Sequence, residues 1–457
     1  MNTQADHVAS LSLRHIARTW WPLALSWLLM SVEGPAHSAI VARLINPEIN
    51  LAAWGGIVFP ISLVVESPIV MMLSASTALS ADWPSYRKLR RVMMGLGALL
   101  TGLHVAIAFT PLYDVIVRGL INAPEAIIEP GRIGMRIMTP WSWTIAYRRF
   151  QQGAMIRFGH TGAVGVGTVV RMVANGLVLL AGYLIKDIPG IVVASGAVAT
   201  GVTIEAIYAG LRARPIVRNQ IRTAPRKEAP FTMRGFLDFY VPLALTSLIS
   251  FFVSPLSSAA MSRMPQALSS LAAWPVVNGL IFMLRSPGMA YNEVVVATLD
   301  RRGALVQLRR FAKILTLAST AVIVVVAATP LSNLWLDDVM ALPPHLLELA
   351  QAALYLALLL PGIAVLLSWY QGVIVNSHRT RGVTESVLMY IIVIGSVMGA
   401  GVFMQGPAGL YVAVAALEIA GAVQVAWLWH RSRPAVHALV AKATAERLGP
   451  PAPVPAE

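Results

Sequence analysis

The sequence predicts an all-α polytopic membrane protein of about twelve transmembrane helices, arranged as two pseudo-symmetric lobes of six. Three observations predict it. Of 457 residues, 57% are hydrophobic and only 12% are charged, with a mean hydropathy of +0.68, whereas a soluble domain carries about twice that charge. Apolar stretches of about 20 residues or more, the length that crosses ~30 Å of hydrocarbon at 1.5 Å per residue, recur along the whole chain. The chain also resembles itself at an offset of 219 to 220 residues.

Taken in order, the apolar runs lie near 16–44, 51–81, 92–118, 131–158, 161–185 and 189–211, then 235–262, 267–298, 307–335, 346–376, 380–404 and 407–431. The first is too long for a cleaved leader and is interrupted by Glu33 and His37. The second carries Glu66 inside "SLVVESPIVMML", residues 62–73. Several runs exceed a perpendicular crossing, which implies tilt or kinks. The fourth holds Arg148 and Arg149, the fifth Arg171, the sixth Glu205, and the eighth Arg285 and Glu293. These boundaries give an N-terminal lobe at 1–211, a basic cytoplasmic linker at 212–234, a C-terminal lobe at 235–433 and a polar, disordered tail at 434–457, ending "GPPAPVPAE".

The repeat is read by aligning "WPLALSWLLMSVEGPAHSA" at 21–39 with "VPLALTSLISFFVSPLSSA" at 241–259. "AAW", "SP", "LRR" and "TPL" then recur in register, and Gln152-Gly153 returns as Gln371-Gly372. Of eight prolines between positions 20 and 125, five recur, where composition alone predicts about half a match. Each half holds an even number of spans, so both enter the membrane in the same direction as parallel repeats. With a cytoplasmic N-terminus, 25 of the 35 Lys and Arg fall in cytoplasmic loops and termini and six on the opposite side. The positive-inside rule therefore puts both termini in the cytoplasm of a multi-pass plasma (inner) membrane protein, and accounts for the net charge of +14 without a nucleic acid.

Ionisable residues in the spans are the candidate site. Glu66 occupies the repeat position of Arg285, an acid in one lobe against a base in the other. Each would cost ~2.5 to 3.5 kcal/mol facing lipid at a helix centre, so a mutual ion pair across the pseudo-twofold or a watery central cleft is expected. Arg148 or Arg149 with Arg285 would grip an anion bidentately, with Glu66 competing for Arg285 when the site is empty. Glu33 and His37, four apart beside Gly34-Pro35, share a helix face and form a possible proton or cation coupling pair. Glu205 has a repeat counterpart in Glu418, and packing is as good a reading of it as coupling. Pro35, Pro68, Pro255 and Pro287 are expected to kink their helices and let the halves reorient.

Enzyme signals are poor. The nine histidines form no metal-ligand pair, no Walker loop is present and no cofactor is implied; without cysteine, thiolate sites are excluded. A membrane-embedded transferase would need an acid or histidine cluster at one face. The two-lobed architecture, with proline-rich first and seventh helices, resembles the multidrug/oligosaccharidyl-lipid/polysaccharide (MOP) exporter superfamily and its MATE-like fold. "FYVPLAL" at 239–245 is similar to the Phe-Trp-Trp-Pro-Leu-Ala-Leu of the progressive ankylosis (ANKH-like) family, and Pro287 with Glu293 to its Pro-x5-Glu. That resemblance implies a monomeric, V-shaped exporter working by alternating access on organic or phosphate-bearing anions such as citrate or nucleotides. Its partners would be membrane lipid, the small-molecule substrate and a coupling ion. A lipid-linked oligosaccharide flippase and a cation-coupled multidrug exporter are the alternatives. The drug exporters use a carboxylate well inside the seventh or tenth helix, and here the seventh has only Asp238 at its edge and the tenth has none well inside it.

Overall fold

The computed structural model describes residues 11–225, 232–301, 303–377 and 381–448. In chain order, α1 comprises Leu13–Ser31 and Glu33–Val41, α2 is Pro47–Leu79, α3 is Trp83–Phe109, α4 comprises Glu125–Ile137 and Trp141–Arg157, α5 is Thr161–Ile185 and α6 is Gly190–Ile221. The second half repeats the series: α7 is Met233–Met261, α8 Ala267–Thr298, α9 Ala304–Ala328, α10 Pro344–Tyr355 with Leu360–Asn376, α11 Arg381–Met404 and α12 Gly409–Leu448. Among the described residues, nine of these are long and apolar enough to cross a membrane, and α10, bent by 42° between its halves, makes a tenth. The remaining two, α1 and α4, stand where the first and fourth spans were expected. Both are interrupted, and both carry the ionisable residues that lower their apolarity.

Two domain limits differ from expectation. The sixth helix does not stop at 211 but runs on to Ile221, because Ala213, Ile216 and Ile221 form a buried stripe on "LRARPIVRNQI". Residues 434–448 are helical, not a disordered tail. Ala435, Val436 and Leu439 share a face and pack on a cluster that includes Tyr291 and Trp369, and alanine, leucine, lysine and arginine favour helix. Linker residues 226–231 and the final 449–457 lie outside the described residues.

The duplication is visible in the backbone. Asn46, Asn122, Lys186, Gln266, Ala341 and Gln405 have positive φ without being glycine, and they form three pairs at the repeat offset: 46 with 266, 122 with 341, 186 with 405. A left-handed residue costs roughly 1 kcal/mol or more, so six such turns in register mark one supersecondary plan used twice.

The seam between lobes is reciprocal. On the face opposite the chain's two ends, here called distal, Arg43 in the turn after α1 donates to the carbonyls of Val339 and Asp338 at 3.0 and 2.7 Å. Its repeat partner Arg263, in the turn after α7, donates to those of Ile121 and Leu120 at 2.9 and 2.8 Å. The accepting carbonyls close the π-turns Val115–Ile121 and Leu334–Val339, where helix ends leave acceptors unfilled. Toward the other, basic face, Trp20 Nε1 donates to the Pro287 carbonyl at 2.9 Å, and the Tyr240 hydroxyl to that of Pro68 at 2.5 Å. Such an exchange of equivalent contacts is the signature of a twofold. Since α1 and α7 both end on the distal face, the axis runs along the helices. The first stretch of each leading helix lies against the other lobe, with Leu11 and Ile16 in a cluster with Tyr291 and Leu308, and the start of α7 along α2.

The repeated Ser-Pro acquires a physical reason. Proline 68 cannot donate to the carbonyl four residues back, and the Ser67 hydroxyl does so instead, to Val64 at 2.7 Å; Ser286 serves Met283 at 2.8 Å ahead of Pro287. Both helices lose their α pattern three residues later, at Met71 and Ala290, and α1 breaks at Val32 ahead of Pro35. At Pro255 the helix is not interrupted, for α7 runs from Met233 to Met261 through it.

Candidate functional site

Four helices of the N-terminal lobe build one polar cluster within the apolar bundle. Helical spacing of four puts Arg148 and Gln152 on one face of α4, and Arg171 and Asn175 on one face of α5. Glu205 of α6 receives both sets: Arg148 at 2.5 Å, Arg171 at 3.2 Å and Gln152 at 3.0 Å. Its side chain is 0% exposed, so two donors, Arg148 and Gln152, and the nearby Arg171 charge take the place of water around the carboxylate, as a buried charge requires. Arg171 then bridges to Glu33 at 2.5 Å, and Asn175 also donates to Glu33. Gly201 makes this closeness possible, since a Cβ there would overlap the Asn175 side chain.

The kink of α1 delivers Glu33 to that cluster. His37, one turn on, is buried, with Nδ1 2.7 Å from the Glu33 carbonyl and its ring stacked on Trp54 at 6.0 Å. The expected pairing of Glu33 with His37 is therefore through backbone, and the carboxylate itself is held by Arg171.

Glu66 and Arg285 do not meet. Glu66 points into its own lobe, where its electrostatic neighbours are Arg149 and then Arg148, with Trp141 beside it. Arg285 points into the C-terminal lobe, toward Tyr390 of α11. Equivalence under the twofold equates their depth and environment, not their position, and each helix turns this residue inward. Among the described residues neither Arg149 nor Arg285 has an ion pair or hydrogen bond, and both Nε atoms are buried without a partner while the side chains stay partly accessible. Glu293 lies exposed two turns beyond Arg285, with Trp27 Nε1 3.4 Å from its carboxylate across the seam.

The candidates thus fall into a joined group, Glu33, Arg148 and Glu205 with Arg149 and Glu66 alongside, and the separate Arg285 and Glu293. Sequence reasoning noticed Arg171 but gave it no role, and it missed Gln152 and Asn175 as parts of the site. An amide four residues from an arginine, twice, inside apolar spans was the available signal. Among the described residues the C-terminal lobe lacks the counterpart: Tyr390 stands where α5 has Arg171, and Glu418 has no ion pair.

No protein-family model matches the chain, and no curated protein matches it. Solved structures do. An inward-facing multidrug resistance MATE family transporter of the MOP superfamily is similar with a TM-score of 0.71 and 15% identity, covering 93% of this chain and 99% of that one. The lipid II flippase MurJ in an inward closed conformation has a TM-score of 0.71 and 13% identity, over 92% and 90%. A MOP superfamily transporter from Pyrococcus furiosus, whose reversed binding-pocket polarity suggests a different function, has 0.61 and 14%, over 96% and 99%. These likenesses establish a MATE-like fold over nearly the whole chain.

Proposed function

We propose that the chain is an alternating-access secondary transporter of the MOP type that exports an organic or phosphate-bearing anion across the plasma membrane, with both termini cytoplasmic. One observation carries this reading: Arg149 and Arg285, one per lobe, lie within apolar spans with a buried, unpartnered Nε and no carboxylate within ion-pairing distance among the described residues. An intramembrane cation left unmatched is costly, and such residues mark substrate pathways. A guanidinium fork matches a carboxylate or phosphate in shape as well as charge.

A cation exporter would need the reverse arrangement. Here Glu33 and Glu205 are already neutralised by Arg171 and Arg148, which leaves Glu66 as the acid nearest Arg149. Glu66 then offsets the Arg149 charge from beyond ion-pairing distance between cycles, and an arriving anion binds Arg149 directly. Glu33, with buried His37 on the same kink, is the place where a proton would couple. Assignment to the ankylosis-type branch rests on "FYVPLAL" and the Pro287–Glu293 spacing.

Proteoliposomes of purified protein test the proposal, with labelled citrate and nucleotide transport run beside ethidium efflux and a fluorescent-lipid flipping assay. Anion transport should dominate and fall at least tenfold in Arg149→Gln and Arg285→Gln, with membrane insertion unchanged. Ethidium efflux or lipid flipping without anion movement, or full anion transport by Arg285→Gln, would reject it.

A further inference from the structure

A second concentration of positive charge lies on the basic face of the N-terminal lobe, apart from the intramembrane cluster. Arg90 of α3 and Arg214, Arg218 and Arg222 at the end of α6 converge on a cavity of about 320 Å³. The last three are spaced by four, so the unexpected extension of α6 presents them along one side. The floor is formed by Tyr86, whose hydroxyl donates to Gln151 at 3.2 Å, and by Tyr147. Trp83 forms a wall, and the Arg222 guanidinium stacks 4.6 Å from its ring centre. Among the described residues none of these four arginines has an ion pair.

A second cavity continues from the first. It measures about 280 Å³, shares Tyr147, Gly210 and Arg214 with the cup above, and is lined otherwise by groups such as Trp143, Ala206, Ile207 and Leu211. These belong to earlier turns of α6 and α4, hence to greater membrane depth, and Ile207 and Leu211 face outward, 57% and 53% exposed. A cationic cup at the interface thus opens into an apolar furrow in the hydrocarbon layer.

We propose that this groove binds one anionic glycerophospholipid of the leaflet on the basic face. The phosphate sits among the four arginines, and an acyl chain lies along the furrow between α4 and α6. Basic pockets between transmembrane helices hold such headgroups by charge and hydrogen bonding together. The furrow decides between sources, because a soluble phosphate ester would fill the cup and leave the apolar half uncovered. Duplication supplies a related cup in the other lobe, where Arg309, the repeat counterpart of Arg90, meets Lys313, Arg433 and His437 around about 590 Å³, with Arg433 stacked 4.0 Å from the Trp429 ring centre.

Native mass spectrometry of the delipidated, detergent-purified full chain tests this. It would be titrated with phosphatidylglycerol, phosphatidylcholine of the same chains, and glycerol phosphate. Phosphatidylglycerol should bind at least tenfold more tightly than phosphatidylcholine, and Arg214→Gln/Arg218→Gln should lose at least tenfold of that affinity. Arg212→Gln, outside the cup, should keep it, and an unchanged melting temperature in phosphatidylcholine would show the variants folded. Should the double variant not fold, Arg90→Gln and Arg222→Gln alone should each lose about threefold. Equal binding of the two lipids, undiminished affinity in the arginine variants, or displacement of the lipid by glycerol phosphate at equal concentration would each overturn the proposal.

Discussion

Glu205→Gln is the sharpest perturbation of the polar cluster. The substitution keeps shape and volume, so its cost is electrostatic and not that of a cavity. Glu205 accepts from Arg148 at 2.5 Å and Gln152 at 3.0 Å, with the Arg171 Nε an ion-pair neighbour at 3.2 Å. Arg171 retains Glu33 at 2.5 Å, but Arg148 loses the one carboxylate it ion-pairs with among the described residues. One buried charge is thereby stranded, a change that costs about 3 to 5 kcal/mol. Removing the stranded charge as well, in Arg148→Met/Glu205→Gln, should restore about 1.5 to 3 kcal/mol of it, the coupling expected of residues in direct contact. Arg149→Gln breaks no bond and should stay within about 1 kcal/mol of the parent. Reversible unfolding in mixed micelles, followed by far-ultraviolet circular dichroism, reads all three. A Glu205→Gln protein within about 1 kcal/mol of the parent, or a double variant no better than the single, would refute the account of the cluster.

Two further outcomes follow from the distal face. Arg43→Gln removes two cross-lobe bonds to carbonyls; at about 1 to 2 kcal/mol for partly exposed charged bonds, the closed-to-open ratio there should fall about 5- to 30-fold. The chain has no cysteine, so spin labels on introduced cysteines in the two distal loops report that distance directly, and an unaltered distribution would count against a latch. Arg132 and, less strongly, Arg118 hold the Asp114 carboxyl below its usual range. A depressed folded pKa gives stabilisation that is complete above the unfolded value, roughly 4, and lost as pH falls through the folded one. The melting-temperature gap between parent and Asp114→Asn should therefore hold from pH 7 to 5 and close below about 4. A gap independent of pH down to 2.5 would contradict it.

How far the sequence could be read depends on whether the signal was local. The Ser-Pro repeat and the register of the duplication were legible because each is set by a few adjacent residues, and duplication wrote each of them twice. The pairing of Glu33 with Arg171 was not, because one residue per span gives depth along the helix normal but no azimuth between bundles. The same gap in information produced the expected Glu66–Arg285 contact: a symmetry operation relates equivalent environments and does not bring them together. The helix over 434–448 was missed because proline content outweighed the stripe of Ala435, Val436 and Leu439, whose partner, Tyr291, lies far away in the chain.

The two distal arginines seize main-chain oxygens rather than side chains. Amino-acid replacements at 120, 121, 338 or 339 leave a carbonyl in place whatever codon is substituted. This part of the closure therefore tolerates change in the loops that accept it and depends on the identity of two residues, Arg43 and Arg263.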